Sequence, residues 1–362
     1  MTNVLKTAET DARSPETHSR EPLLSVEDLS VAIESGERTI PAVDGVTFTV
    51  DRGETVCLVG ESGSGKSVTC ESITGIVPQP PAEIVSGRVR FDSIDVLESD
   101  ESTRRSLRAN RIAHIFQNPQ SALDPVYPVG EQIAEPMAIH GNGTASSRRE
   151  RAIDLMDRVG IPEASARIDD YPHEFSGGMR QRIAIAIALA ADPDLLIADE
   201  PTTAVDVTVQ ARIIDLLERL IDDGTSLLLV THDLRVVAAL ADRVVVLFGG
   251  TVVETGPVDR LFDRPAHPYT QALFESYTGQ VATDGTSSRR SLPADGCRFR
   301  EQCPHAIEDC AGGNQPPFYR VSDEGAHARG QTVSCVHYGP EGDPTEILET
   351  GREPTTITER HQ

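Results

Sequence analysis

Two stretches of the chain carry residue types whose spacing can do chemistry. Residues Gly60 to Ser67 read GESGSGKS and fit the pattern G-x-x-x-x-G-K-[ST]. Glycines at Gly60, Gly63 and Gly65 let backbone N–H groups turn inward around phosphate oxygens. A following helix adds its N-terminal partial positive charge. Glu61, Ser62 and Ser64 complete the loop, and Val68 leads on into the helix. Lys66 has the reach for the β and γ phosphates, and the Ser67 hydroxyl is a Mg²⁺ ligand. A glycine-rich turn matches such a pattern by chance. Here it lies between the apolar strand ETVCLV, Glu54 to Val59, and a helical run from Ser67 to Ile76. That context makes it a nucleotide site. The second stretch, Phe175 to Asp206, reads FSGGMRQRIAIAIALAADPDLLIADEPTTAVD. Ser176-Gly177-Gly178 precedes a helix, Asp194 to Asp199 reads as a buried strand ending in Asp199-Glu200, and a turn leads to Asp206. Paired carboxylates at a strand end suit metal and water beside a triphosphate.

The elements that must position these groups follow from apolar patterning. LLSVEDLSVAI and AVDGVTFTV, within Leu23 to Val50, predict paired strands around a polar turn at Glu34 to Arg38. Gly87 to Val96 and Arg111 to Phe116 predict two more strands, the second ending at Gln117. From there to about Tyr171 the pattern turns helical and charged. GNG at Gly141 to Gly143 breaks it, and SSRRERAIDLMDRVG forms an amphipathic helix closed by Gly160. SLLLVT, Ser226 to Thr231, is a buried strand followed by His232-Asp233. Arg243 to Leu247 and Gly250 to Glu254 close the sheet. A lone surface histidine at a strand end would be unremarked, but His232 directly follows an apolar strand beside Asp233.

Charge excludes one class of function. The 362 residues hold 57 Asp and Glu against 33 Lys and Arg, a net charge of −24, which disfavours nucleic acid as a partner. Lysine occurs only as Lys6 and Lys66. Such like charge opposes the compact state in dilute buffer. At molar salt the Debye length falls to roughly 3 Å. A salt-adapted cytoplasm, such as that of a halophilic archaeon, is therefore expected. No stretch approaches the roughly 18 apolar residues of a spanning helix. The opening residues MTNVLKTAETDARSPETHSREP lack the apolar segment of a signal peptide and read as a solvated tail.

With these motifs in order, the chain resembles an ABC-transporter ATPase subunit over about Leu23 to Gly256. Gly60 to Ser67 matches the Walker A loop, Gln117 the Q-loop glutamine, and Ser176-Gly177-Gly178-Met179 the signature. Leu195 to Glu200 matches the Walker B strand, Asp206 the D-loop position and His232 the switch histidine. The resemblance implies an α/β P-loop NTPase core with an antiparallel β subdomain and a helical subdomain at about 118–174. It implies that Asp199, Ser67 and Gln117 serve Mg²⁺, that Glu200 orients or deprotonates the attacking water, and that His232 links the γ-phosphate to Glu200. The signature residues would cap ATP on a partner subunit, so that two chains sandwich two ATPs head to tail. The turn GERTIPAV lacks the family's usual aromatic adenine platform, leaving Arg38 or Ile40 to cover the base.

GESGSGKSVT, IFQNP, YPHEFSGGMRQR, ADEPTTAVDVT, THDLRVVA and HPYTQALF (His267 to Phe274) narrow the resemblance to the ATPases of dipeptide and oligopeptide importers. That implies a second, different ATPase as dimer partner, two transmembrane permeases and an extracytoplasmic solute-binding protein. The chain would then lie peripherally on the cytoplasmic face of the membrane. Nickel or an oligosaccharide is the alternative cargo, and a soluble ABC ATPase without permeases the alternative class. Cys57 and Cys70 read as small buried hydrophobes. Cys297, Cys303, Cys310 and Cys335 cluster in a region poor in core residues, with gaps of five, six and twenty-four residues. A reducing cytoplasm disfavours disulfides, while a metal would staple so small a unit. The gaps fit neither common zinc steps nor a ferredoxin run. Resemblance to the oligopeptide-importer C-terminus points to a [4Fe–4S] cluster, with Zn²⁺ and then free thiols as the alternatives. The expected organisation is a tail at 1–22, a nucleotide-binding domain at 23–256, a small Cys-rich domain at 257–338 and a flexible acidic tail at 339–362.

Overall fold

The computed structural model describes residues 21–36, 38–117, 123–139, 141, 143–203, 206–278, 292–293, 295–321 and 330–348. Most of the expected N-terminal tail, residues 118–122 of the expected helical insertion, and the last fourteen residues of the expected acidic tail lie outside the described residues.

The strands in chain order are β1 (Leu24–Ser35), β2 (Arg38–Val50), β3 (Thr55–Val59), β4 (Ala82–Phe91), β5 (Ile94–Asp95) and β6 (Ile112–Ile115). They continue with β7 (Leu195–Asp199), β8 (Ser226–Val230), β9 (Arg243–Phe248), β10 (Thr251–Pro257), β11 (Tyr319–Arg320) and β12 (Thr332–Val333). The helices are α1 (Lys66–Thr74), α2 (Glu101–Asn110), α3 (Val129–Ile139), α4 (Ala145–Arg158), α5 (Ala164–Arg167) and α6 (Gly177–Leu189). Then come α7 (Val207–Asp222), α8 (Leu234–Leu240), α9 (Val258–Asp263), α10 (Pro268–Thr278) and α11 (Thr345–Leu348).

Two sheets organise these elements. The smaller is antiparallel, in the order β2-β1-β4-β5. The larger runs β11-β12-β10-β9-β3-β8-β7-β6. Its five strands from β9 to β6 are parallel, and β10, β12 and β11 are added antiparallel at one edge. Every residue of β3, β7 and β8 is buried. That is why TVCLV, LLIAD and SLLLV read as unbroken apolar runs, since parallel strands are covered on both faces. The helices α3, α4, α5 and α6 gather the apolar faces Val129, Ile133, Leu155, Met156 and Ile183 into the same core, so the helical insertion is packed onto the sheet rather than hung from it.

One predicted strand differs. Gly87 to Val96 is not a single strand: Asp92 adopts a left-handed conformation with φ of 57°. It turns the chain so that β4 folds back as β5. Asp tolerates that conformation better than most residues.

The C-terminal region shares the larger sheet instead of standing apart. Val333 and Thr332 pair with Glu254 and Thr255 of β10. Glu254 is fully buried and accepts from Ala266 N at 2.8 Å, His267 N at 2.8 Å and Gln331 Nε2 at 2.6 Å. One apolar cluster holds Val246 and Phe248 of β9 together with Tyr269, Cys297, Phe299 and Cys310. Residues 339–348, expected as the start of a flexible tail, are part of the folded body. Ile347 of α11 has no exposed surface and packs with Ala266, Val321, Val333 and Cys335. A single isoleucine in a polar sequence gave no periodic signal for this. Among the described residues no helix is long and apolar enough to cross a membrane.

Ile347→Ala is expected to destabilise the chain by about 2–5 kcal/mol, the usual range for truncating a buried Ile. Denaturant titration at fixed salt checks this, and a midpoint equal to wild type would return residues 339–348 to the tail.

Candidate functional site

Four neighbouring parallel strands end side by side, and each delivers one part of the site. Leu58 of β3 and Asp199 of β7 both register with Val230 of β8, and Ala198 registers with Ile115 of β6. The chain leaving β3 is the Gly60–Ser67 loop. The chain leaving β7 is Glu200, that leaving β8 is Thr231-His232, and that leaving β6 is Phe116-Gln117. Ligand sites of open α/β sheets lie at such carboxyl ends.

The loop needs its glycines. Gly60 has φ of 155°, and a Cβ there would lie 2.2 Å from Leu247 O; at Gly65, with φ of 100°, it would lie 2.5 Å from Ala42 O. Lys66 opens α1 and is almost fully buried. Its Nζ donates to Gly60 O at 2.8 Å, Glu61 O at 2.8 Å and Ser64 Oγ at 3.3 Å, which occupies its three protons. Burial pushes its pKa down, and the charges of Glu200 and Asp199 oppose that push. Of the two residues expected to cover adenine, Arg38 is exposed and Ile40 is 51% exposed. No aromatic ring stands among residues 38–43.

The acidic pair splits into two environments. Asp199 is buried, and its carboxyl pKa is raised, first by burial, with a Ser67 hydrogen bond acting the other way. Its Oδ1 is buried with no hydrogen-bond partner. A buried carboxylate oxygen lacking a donor is suited to a cation, so Asp199 and Ser67 fit Mg²⁺. Glu200 has φ of 48° and donates its N–H to Val230 O at 2.8 Å. A non-glycine residue held in that region costs of order 1–3 kcal/mol. The strain aims its carboxylate among three groups: Thr203 Oγ1 donates at 2.8 Å, Gln117 Nε2 at 3.1 Å, and His232 Nδ1 lies 3.2 Å away. Burial raises the Glu200 pKa, but hydrogen bonds from Thr203, His232 and Gln117 outweigh it and the net shift is downward. The carboxylate is thus held ionised beside the loop.

Gln117, Glu200 and His232, predicted from separate strands, come together here. Thr203 was missed by the sequence reading; its signal was a hydroxyl three residues past the carboxylate it serves. Asp233 was placed only as a neighbour. Its pKa falls to about 2 because hydrogen bonds from Arg235 and Gln210 overcome burial. It caps α8 and receives Gln210 Nε2 of α7 at 2.7 Å.

The signature residues form a second group. Ser176 caps α6, accepting from Met179 N at 3.3 Å. Asp206 caps α7, accepting from Val209 N at 2.9 Å. A Cβ on Gly178 would meet Val209 Cγ1 at 2.7 Å, so the glycine lets the two caps pack together. Among the described residues, no hydrogen bond joins Ser176, Gly177, Gly178 or Met179 to the Gly60–Ser67 loop.

Five of the six cysteines are buried, Cys303 being the partly exposed one. Cys57 and Cys70 have no exposed surface. Cys297 donates its backbone N–H to Cys310 O at 2.9 Å. Burial first, then neighbouring thiols, push Cys303 up to about 11 and Cys335 up to about 12; Cys335 senses all three others. Four soft thiol donors suit zinc or an iron–sulfur cluster. Their side chains nevertheless do not converge: among the described residues, no three His, Cys, Asp or Glu side chains form a group able to hold a metal ion.

Comparison with known proteins agrees with this geometry. A family model described as ABC transporter matches residues 43–203. A model of the oligopeptide/dipeptide transporter C-terminal region matches residues 253–310. The oligopeptide transport ATP-binding protein AppD of Bacillus subtilis is 44% identical over 328 residues, covering 88% of this chain and 98% of AppD. The dipeptide transport ATP-binding protein DppD of Escherichia coli is 44% identical over 311 residues, covering 83% of this chain and 94% of DppD. Among solved structures, a dimeric ATP-binding cassette in a post-hydrolysis state with ADP and Pi superposes with a TM-score of 0.59. It is 29% identical, and the match covers 65% of this chain and 98% of that one.

Glu200→Gln removes the proton acceptor and keeps the shape. It is expected to leave ATP binding intact and to cut ATP turnover by about 10²–10⁴-fold, the range for a general base. Steady-state phosphate release with an equilibrium binding assay separates the two, and undiminished turnover would end the assignment of Glu200 as base.

Proposed function

The chain belongs to the ABC transporter ATPase family, and from that premise we propose that it hydrolyses ATP to energise a peptide importer. The observation that carries the catalytic part is the Glu200 carboxylate, kept ionised and aimed by Thr203, Gln117 and His232 at the end of the strand beside Lys66.

Hydrolysis of a γ-phosphoryl group demands positioning and charge neutralisation more than covalent chemistry. Backbone N–H groups of Ser62 to Ser67 and the start of α1 bind phosphate oxygens. Lys66 exchanges its carbonyl partners for the β and γ phosphates. Mg²⁺, when bound by Ser67 and Asp199 with Gln117 nearby, neutralises phosphate charge. Glu200 accepts the proton of the attacking water, and Gln117 fixes that water's orientation. His232 holds the γ-phosphate side of the site against Glu200. Val68 extends the loop's contact with nucleotide, and Arg38 or Ile40 covers the base from β2.

That no hydrogen bond among the described residues joins Ser176, Gly177, Gly178 or Met179 to the chain's own loop supports a head-to-tail dimer, in which they and Asp206 close over ATP held by a partner. The partner is a second, different ATPase. Two permeases receive the motion on the helical insertion of α3, α4 and α5, and a solute-binding protein delivers cargo from the far side. The chain sits on the cytoplasmic face of the membrane. The net charge of −24 supports a salt-adapted, haloarchaeal host.

Cys297, Cys303, Cys310 and Cys335 are assigned to a [4Fe–4S] cluster ahead of Zn²⁺. The support is the likeness of residues 253–310 to the oligopeptide/dipeptide transporter C-terminal region and a donor set of sulfur alone. The side chains must move closer to complete such a shell. Protein purified without oxygen is expected to absorb near 400 nm and to hold iron. Stoichiometric zinc without iron overturns the cluster, and neither metal overturns the site.

Transport is tested in membrane vesicles containing the permeases and the partner ATPase. Labelled di- or oligopeptide is expected to accumulate with wild-type chain and ATP, and to fall to background with Glu200→Gln. ATP-dependent uptake of nickel or a sugar without peptide overturns the cargo, and no ATP-dependent uptake overturns the transport reading.

A further inference from the structure

The phosphate loop is held by a side chain that arrives from far along the chain. Glu61 donates its N–H to the Tyr269 hydroxyl at 2.9 Å, across 208 residues. The carbonyl of the same peptide unit, Gly60 O, accepts from Lys66 Nζ at 2.8 Å. In a trans peptide the C=O and N–H point in opposite directions. Tyrosine and lysine therefore grip one peptide plane from opposite edges.

Everything around Tyr269 fixes its hydroxyl. The residue is 1% exposed, and its ring lies 4.6 Å from that of Phe248 and 5.4 Å from that of Phe299. Its own N–H donates to His267 Nδ1 at 3.0 Å, and the His267 N–H donates to Glu254 at 2.8 Å. A second contact comes from the residue before Phe299. Arg298 is paired with Asp44, whose N–H donates to Gly250 O at 2.8 Å, and Gly250 in turn donates to Ser64 O at 3.1 Å. The loop is thereby held at Glu61 by Tyr269 of the C-terminal region and at Ser64 by Gly250 of the β9–β10 turn, to which Arg298 is linked through Asp44. Nothing in the nucleotide chemistry itself calls for a tyrosine there.

We propose that Tyr269 is a positioning residue for ATP binding: by accepting the Glu61 N–H it holds the first peptide of the phosphate loop in its binding orientation. The C-terminal region thus sets nucleotide affinity without touching nucleotide. The bond matters most once ATP is bound, because Lys66 then turns from Gly60 O to phosphate and Tyr269 remains as the tether of that peptide. The inference rests on the reading of Gly60–Ser67 as the phosphate cradle.

The test uses the full chain. Tyr269→Phe keeps the ring packing and removes the acceptor. Its Kd for MgATP is expected to rise by about 3- to 10-fold, the worth of one net hydrogen bond, and KM is expected to rise with kcat unchanged, as for a binding interaction common to ground and transition states. Wild-type affinity in the variant overturns the proposal. So does a loss of kcat or of thermal stability with affinity unchanged, which would mark a merely structural or a catalytic role. Hydrogen exchange on the wild-type chain gives an independent reading. The Glu61 amide is expected to be protected although its residue is exposed, and exchange at the rate of a free loop overturns the bond. Lys66→Ala separates the two levels: normal ATP binding there overturns the cradle itself, whereas a neutral Tyr269→Phe beside a non-binding Lys66→Ala overturns the positioning role alone.

Discussion

The site depends on a backbone constraint, the level ending of four parallel strands. Hydrogen-bond register sets Leu58, Val230, Asp199 and Ile115 within neighbouring rungs of one ladder. A slip of one residue in any strand would exchange its two faces and carry a functional group out of reach. The apolar runs TVCLV, SLLLV and LLIAD make that slip costly, because every one of their side chains is buried. Asp199 is the exception at the rim, an ionisable group on a strand otherwise made to be dry. Its raised pKa and its unpartnered oxygen are consequences of that placement, and they make it receptive to a divalent ion.

The next residue solves a different problem. Glu200 leaves the strand through a left-handed backbone conformation, so two adjacent carboxylates face different surroundings. One is buried and short of donors; the other is supplied with three polar neighbours. Opposite pKa shifts in adjacent acids follow from this, and such a pair is suited to divide its labour between charge binding and proton acceptance.

Much of the nucleotide site was legible because its physics is local. A glycine-rich turn between a strand and a helix, or two acids at a strand end, can be read within a dozen residues. Gln117, Glu200 and His232 could be tied together only because the family motifs occur in order. Partners such as Thr203, Gln210 and Tyr269 escaped, since a single hydroxyl or amide that serves one carboxylate or one backbone N–H carries no periodic signature. The β4–β5 hairpin was missed because one Asp in a left-handed turn hardly perturbs the alternation around it. The pairing of the C-terminal region with the main sheet was not legible for a physical reason. Strands as short as β11 and β12 lie below the length at which alternation can be recognised, yet they join the main sheet.

Those two short strands have a consequence for the molecule in a crowded cell. A mixed sheet with a long bare margin is a template on which another chain can pair. Here β10 is covered along Glu254 and Thr255 by β12, and among the described residues the outermost strand offers only Tyr319 and Arg320. The C-terminal region therefore acts as a selvedge: it finishes the sheet in a piece too small to nucleate a fibre.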